Sequence, residues 1–186
     1  MRKNLGPKPA IYPMPVLIIG TYDKDGRPNA MNAAWGGISE ETEISICISA
    51  DHKTTENILN KKCFTVSIAD RENVRAADFV GIVSGKDDPE KMKKTGWCDE
   101  KSEIIDAPLF RELPMALECR LSSYDPESCR LVGEILNISC DEKILDADGK
   151  VDLTSFHPIT YDSFHHVYRE IGEVVGRAFK DGLALK

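Results

Sequence analysis

Alternation of apolar and polar positions is the clearest signal in the chain. Val16 to Tyr22 is aliphatic and β-branched and breaks at Asp23-Lys24-Asp25-Gly26, a hairpin-type turn. Glu43 to Ser49 places Ile44, Ile46 and Ile48 on one face and Ser45, Cys47 and Ser49 on the other. Phe64 to Ala69 repeats the pattern with Phe64, Val66 and Ile68. Between these strands, Thr54 to Leu59 reads as a short helix whose opening threonines are good N-caps.

The middle changes character. Asn73 to Val83 and Pro89 to Lys94 favour helices, followed by Thr95-Gly96-Trp97 and a loop to Leu109. This stretch reads as an insertion, roughly residues 71–110, between two halves of a sheet. Strands resume at Leu113 to Tyr124 and Arg130 to Asp141. Ile171, Val174, Val175, Ala178 and Phe179 recur at helical spacing, so the pattern predicts an amphipathic C-terminal helix ended by Gly182. The sum is an α+β chain built on an antiparallel barrel or sheet, expected as a single domain over residues 1–186.

Composition narrows the function classes. Lys and Arg total 24 against 31 Asp and Glu, a formal net charge of −7. Such a surface repels polyphosphate, which argues against sequence-independent nucleic-acid binding. The longest aliphatic run, Val16-Leu17-Ile18-Ile19, is far too short to cross a bilayer as a helix. Prolines at 7, 9, 13 and 15 interrupt any leader-like segment, so a cytoplasmic protein is expected. The six cysteines (Cys47, Cys63, Cys98, Cys119, Cys129 and Cys140) never stand in CxxC spacing and read as reduced structural thiols, with Cys47 and Cys63 as small core residues.

Common catalytic patterns are absent: no Walker loop, no GxGxxG after a strand, no HExxH and no GxSxG. His165-His166 lacks further ligands at metal spacing, so no metal is expected. Two segments carry chemistry. Asp51-His52-Lys53-Thr54-Thr55 follows a strand and opens a helix, where unpaired amides, an ammonium and two hydroxyls suit a phosphate. A plain threonine N-cap beside a solvated lysine accounts for the same residues. Asn29-Ala30-Met31-Asn32-Ala33-Ala34-Trp35-Gly36-Gly37 is small and amide-rich, which lets a flat ligand approach the backbone. A loop leading into a strand, with Trp35 in the core, is the alternative.

In order, Pro13 to Thr21, Asp25-Gly26-Arg27-Pro28, Asn29 to Trp35, His52-Lys53-Thr54, Ala77 to Gly85, Ala107-Pro108-Leu109, Ala116 to Cys119 and Tyr168 to Phe179 resemble the flavin reductase-like, flavoredoxin-type proteins. The resemblance covers nearly the whole chain. It implies an antiparallel Greek-key split β-barrel with the helical insertion and C-terminal helix, binding FMN as a homodimer. Carried over by residue, Asn29, Ala30, Met31, Asn32, Ala33 and Trp35 line the flavin ring and ribityl chain. Ser49, His52, Lys53, Thr54 and Thr55 hold the phosphate and its approach, with His165, Tyr168 or Arg169 within reach. The implied activity is that of an NAD(P)H:flavin reductase or an electron carrier, with NADH or NADPH as reductant and an electron-donor or acceptor protein as a further partner. The flavin performs the redox step while protein supplies position and electrostatics. A non-catalytic flavin- or haem-binding module on the same barrel is the alternative.

Overall fold

A computed structural model describes residues 1–186. Its strands are β1 (Met14–Pro15), β2 (Leu17–Tyr22), β3 (Pro28–Ala33), β4 (Gly36–Glu40), β5 (Glu43–Cys47), β6 (Cys63–Ile68), β7 (Asp99–Lys101), β8 (Pro108–Phe110), β9 (Met115–Asp125), β10 (Arg130–Cys140), β11 (Ile159–Asp162) and β12 (Val167–Glu170). Helix α1 (Lys53–Lys61) joins β5 to β6, while α2 (Val74–Ile82) and α3 (Lys91–Thr95) follow β6. Seven strands form an antiparallel sheet in the order β3-β2-β6-β9-β10-β5-β4. β1, β11 and β12 make a second sheet, and β7 with β8 a short ribbon inside the insertion.

The large sheet curls into a half-barrel. One apolar cluster joins Leu17, Ile19 and Ala33 from one end of the strand order to Ile44 and Ile46 from the other. Phe64, Val66, Leu117, Cys119 and Leu131 fill the space between, and Ile58 of α1 closes it. Each Val, Leu, Ile or Phe among them contributes roughly 1.5–3 kcal/mol on burial. Gly36 of β4 lies against the other end of the sheet: a Cβ there would sit 3.2 Å from Leu17 Cδ1. Two bulges in the β9–β10 pairing, one with Ser122 of β9 as the extra residue and one with Leu136 of β10, bend the sheet to that curvature. The outer face of β2 packs a second cluster, in which Val16, Ile18, Ala30, Ala77, Val80 and Trp97 meet beneath α2 and α3.

The antiparallel curled sheet agrees with the expected fold class, and four readings need correction. Asn29 to Ala33 belongs to a strand rather than a loop: β3 pairs with β2 from Leu17↔Ala33 to Tyr22↔Pro28. Its alanines and asparagines have low strand propensity, and the partner β2 overrides it. The predicted C-terminal helix is absent. Residues 171–177 are irregular, a short 3-10 turn spans Asp181–Leu185, and Tyr168 stands in β12. Val174, Val175 and Phe179 are almost fully exposed, so nothing rewards an apolar helical face. Gly172, Gly176 and the β-branched residues also disfavour a helix. Cys47 is exposed, because the alternation that buries Ile44 and Ile46 turns it outward. Trp35 is 57% exposed and does not join the core.

The second sheet ties the two ends of the chain. Met14 pairs with Tyr161, and Tyr12 Oη donates to Asp162 Oδ1 at 2.7 Å. His165 Nδ1 and Arg169 Nε lie 2.9 and 3.0 Å from Asp162 Oδ2. The Tyr12 hydroxyl, then the His165 and Arg169 hydrogen bonds, hold the Asp162 carboxyl well below the usual range. No helix is long and apolar enough to cross a membrane.

Candidate functional site

Strand β3 ends the sheet, so one edge of its backbone is free of strand pairing. Helix α2 lies over it. Asn32 Nδ2 donates to the Ala77 carbonyl at 3.1 Å, and the approach at Gly81 is close: a Cβ there would meet Asn32 Cβ at 3.0 Å. A groove runs along this contact in two parts that share Asn32, Gly81 and Ile82.

The first part, about 250 Å³, is lined by Met31, His52, Lys53, Thr54, Ser84 and Lys91 among others. α1 begins here at His52, whose extended backbone makes no side-chain cap, so the first-turn amides are left for a ligand. Lys53 Nζ pairs with Glu56 at 2.7 Å on the same helix. Lys91 is buried, and its Nζ donates to the Val83 carbonyl at 2.8 Å. Burial pushes the Lys91 ammonium down to about 8, partly opposed by Asp88. Asp87 lies on the rim. Beneath the floor, Asn29 Nδ2 donates to Thr54 Oγ1 at 2.9 Å, while Asn29 Oδ1 is buried without a partner. That oxygen faces Gly85, where a Cβ would approach it to 2.5 Å.

The second part, about 330 Å³, lies between α2 and the β11–β12 hairpin and is lined by Val16, Asn32, Asp78, Tyr161, His166 and Tyr168. Tyr168 Oη donates to Asp78 Oδ1 at 2.8 Å, and burial with that carboxylate raises the phenol well above its ordinary value. Tyr161 Oη lies 2.8 Å from His166 Nδ1. The two tyrosine rings pack at 5.9 Å and 51°. The groove is therefore electrically two-ended: ammonium groups and helix amides at one end, aromatic rings, amides and a carboxylate at the other.

Residues 10–165 match the family model described as the flavin reductase like domain. The chain belongs to this family. Among solved structures it is similar to the flavoredoxin of Desulfovibrio vulgaris (Miyazaki F), with 35% identity and a TM-score of 0.93 over 98% of this chain and 100% of that one. It is also similar to a flavoredoxin from Methanosarcina acetivorans, at 26% identity and TM-score 0.87 over 100% and 98% of the two chains. A match to an Aeropyrum pernix protein of uncharacterised function is shorter, 27% identical over 113 residues, or 60% of this chain and 43% of that protein.

Measured against the flavin site expected for the family, the residues fall into four groups. Met31, Asn32, His52, Lys53, Thr54 and Tyr168 line the groove. Asn29 supports it from below. Ala30 and Ala33 point into the two apolar clusters, and Trp35 stands on the neighbouring surface beside Ala34 and Pro13. Thr55 is fully buried and spends its hydroxyl on the Ser49 carbonyl at 2.7 Å, so this pair braces the helix start instead of facing the groove. Sequence reasoning missed Lys91, Asp78, Tyr161 and His166. Gly81, Ser84 and Gly85 carried the family resemblance without a role; their signal was one glycine inside a stretch read as helix and a second just past its end.

The donor set fits a flavin mononucleotide. A phosphate dianion needs cations and N–H or O–H donors together, and Lys53, Lys91, Thr54, Ser84 and the α1 amides converge on one end. Asn29 Oδ1, buried beneath that end against Gly85, is an acceptor the folded chain leaves unsatisfied.

Proposed function

We propose that this chain is an FMN-binding oxidoreductase that keeps its flavin and passes electrons, in the manner implied by the name flavoredoxin borne by two similar structures. The polarity of the groove carries this reading. Lys53, Lys91, Thr54 and the uncapped start of α1 hold the phosphate, and Asn32 with the Tyr161, Tyr168 and Asp78 end receives the ring. When bound, the flavin supplies the hydride and electron chemistry. The protein positions it, desolvates its phosphate and exposes one end to a reductant, either NADH or NADPH or an electron-donor protein.

The homodimer belongs to the same proposal. Trp35, Ile38 and Phe164 are exposed apolar side chains, and Val174, Val175, Phe179 and Leu185 add more on the C-terminal segment. A second copy seated on these side chains and over the groove would cover them and shield the flavin.

An absorption spectrum of the purified protein, followed by anaerobic addition of NADH and then NADPH, tests the function. Flavin absorbance retained through gel filtration is expected. Bleaching by a pyridine nucleotide assigns reductase activity; bleaching only by a chemical reductant assigns a carrier fed by a protein. Failure to bind FMN at micromolar concentration would refute the proposal.

A further inference from the structure

The aromatic end of the groove holds a feature that flavin binding alone leaves unexplained. His166 sits at the β11–β12 turn with φ 55°, a left-handed conformation uncommon for residues with a side chain. Its backbone N–H donates to the Asp162 carbonyl at 2.8 Å, and its Nδ1 is fixed by Tyr161 Oη. The ring lines the cavity between α2 and the hairpin, leaving Nε2 as the nitrogen without a protein partner.

The charges around it are unbalanced. From α2 comes Asp78, which accepts from Tyr168 of β12. From β11 come Tyr161 and Asp162, but the Asp162 carboxylate is already engaged by Tyr12, His165 and Arg169. Lys53 and Lys91 line the other end of the groove. Among the side chains lining the aromatic cavity, His166 is the single basic one. Asp78 and His166 are both exposed, and a ring seated between them would cover them. An electron pair entering that ring adds negative charge beside the Asp78 carboxylate. Such charge is stabilised by a proton on a neighbouring base.

We propose that His166, held by Tyr161, is the proton-linked group of this site: it takes up a proton when an electron pair enters the ring seated between α2 and the hairpin, and releases it when the electrons leave. This rests on the FMN reading above. A reduced nicotinamide delivers the pair as hydride and so brings the ring's own hydrogen; from a donor protein the two electrons arrive alone and that hydrogen comes as a proton from solvent. Either way the pair leaves to an oxidised acceptor together with that hydrogen. The proton on the imidazole is a further one, taken from solvent on reduction and returned to solvent on oxidation, and no covalent bond to the residue forms. By linkage, protonation of His166 favours the reduced state as much as reduction favours its protonation.

Proton uptake during anaerobic photoreduction of the FMN-loaded protein, read with an indicator dye in weak buffer, tests this across the range in which imidazoles titrate. His166→Gln is expected to take up fewer protons per flavin, by up to about one, since one imidazole binds one. His157→Gln, which lines neither part of the groove, is expected to match the wild type. Tyr161→Phe is expected to move the pH range of the extra uptake. A His166→Gln protein that keeps its FMN and takes up as many protons as wild type at every pH would overturn the proposal while leaving the FMN reading intact. If His166→Gln does not hold flavin, an unchanged uptake range in Tyr161→Phe overturns it instead. A wild-type chain that binds no FMN overturns both.

Discussion

Asn29 and Thr54, on β3 and in the first turn of α1, are joined by one buried hydrogen bond of 2.9 Å from the amide to the hydroxyl. It fixes the cationic end of the groove to the edge of the sheet. Replacing Thr54 with Val keeps the shape and leaves a buried amide donor unsatisfied, at a cost of about 1–3 kcal/mol. Thr54→Val should therefore lower the melting temperature of the apoprotein and weaken FMN binding in a fluorescence titration. An unchanged melt would mean that the amide finds another partner.

Lys91 sets stability against ligand binding. Folded, its ammonium titrates at about 8, whereas a lysine in the unfolded chain titrates near 10.4. Below about pH 8 both states carry the proton, and the folded state bears the cost of burying it. Between the two values the unfolded chain holds more protons, so apoprotein stability should rise with pH through that window. Lys91→Met should flatten the rise and stabilise the apoprotein at neutral pH. It should also weaken FMN binding by about one to two decades through loss of one charge-assisted bond, with Lys53→Ala acting in the same direction. Denaturation at several pH values with a parallel flavin titration reads both effects.

Gly133 is required by packing. A Cβ there would lie 2.5 Å from Phe64 Cζ and 2.9 Å from Cε1, inside the half-barrel core. Gly133→Ala should destabilise by roughly 1–3 kcal/mol, seen as a lower denaturation midpoint, and Phe64→Leu should recover part of the loss.

The thiols divide by burial. Cys119 is pushed up to about 12 by desolvation, with nearby Glu118 adding to it, whereas Cys47 and Cys98 are exposed. Iodoacetamide on the folded protein should label Cys47 and Cys98 first and leave FMN content unchanged. Loss of flavin on labelling one exposed thiol would assign that cysteine a role at the cofactor.

Assembly should couple to cofactor retention if a second copy covers the groove, because a ligand that binds the dimer stabilises it by mass action. Light scattering over a dilution series, with flavin fluorescence in parallel, should show FMN release together with dissociation. A monomer that retains FMN on dilution would confine the site to one chain. Trp35→Ser should weaken the dimer without lowering monomer stability, since the indole is exposed.

The sequence by itself determined the strands whose side chains alternate and the helix between β5 and β6. Ile44, Ile46, Phe64 and Val66 carry a period of two, and Thr54 to Ile58 a short helical face; these local signals need no distant partner. It also pointed to Lys53 and Thr54, because a helix start with a cation and hydroxyls is a local device. Only the tertiary structure decided the rest. β3 forms because β2 pairs with it, against its own composition. The apolar spacing of Ile171 to Phe179 yields no helix, because amphipathic helices this short are stabilised chiefly by a surface to pack on, and none lies beneath these residues. Lys91, Asp78, Tyr161 and His166 come from α2, α3 and the β11–β12 hairpin, and they meet across one groove only after the sheet has curled. Their chemistry is a matter of distance and burial, and neither is written in the spacing of residues along the chain.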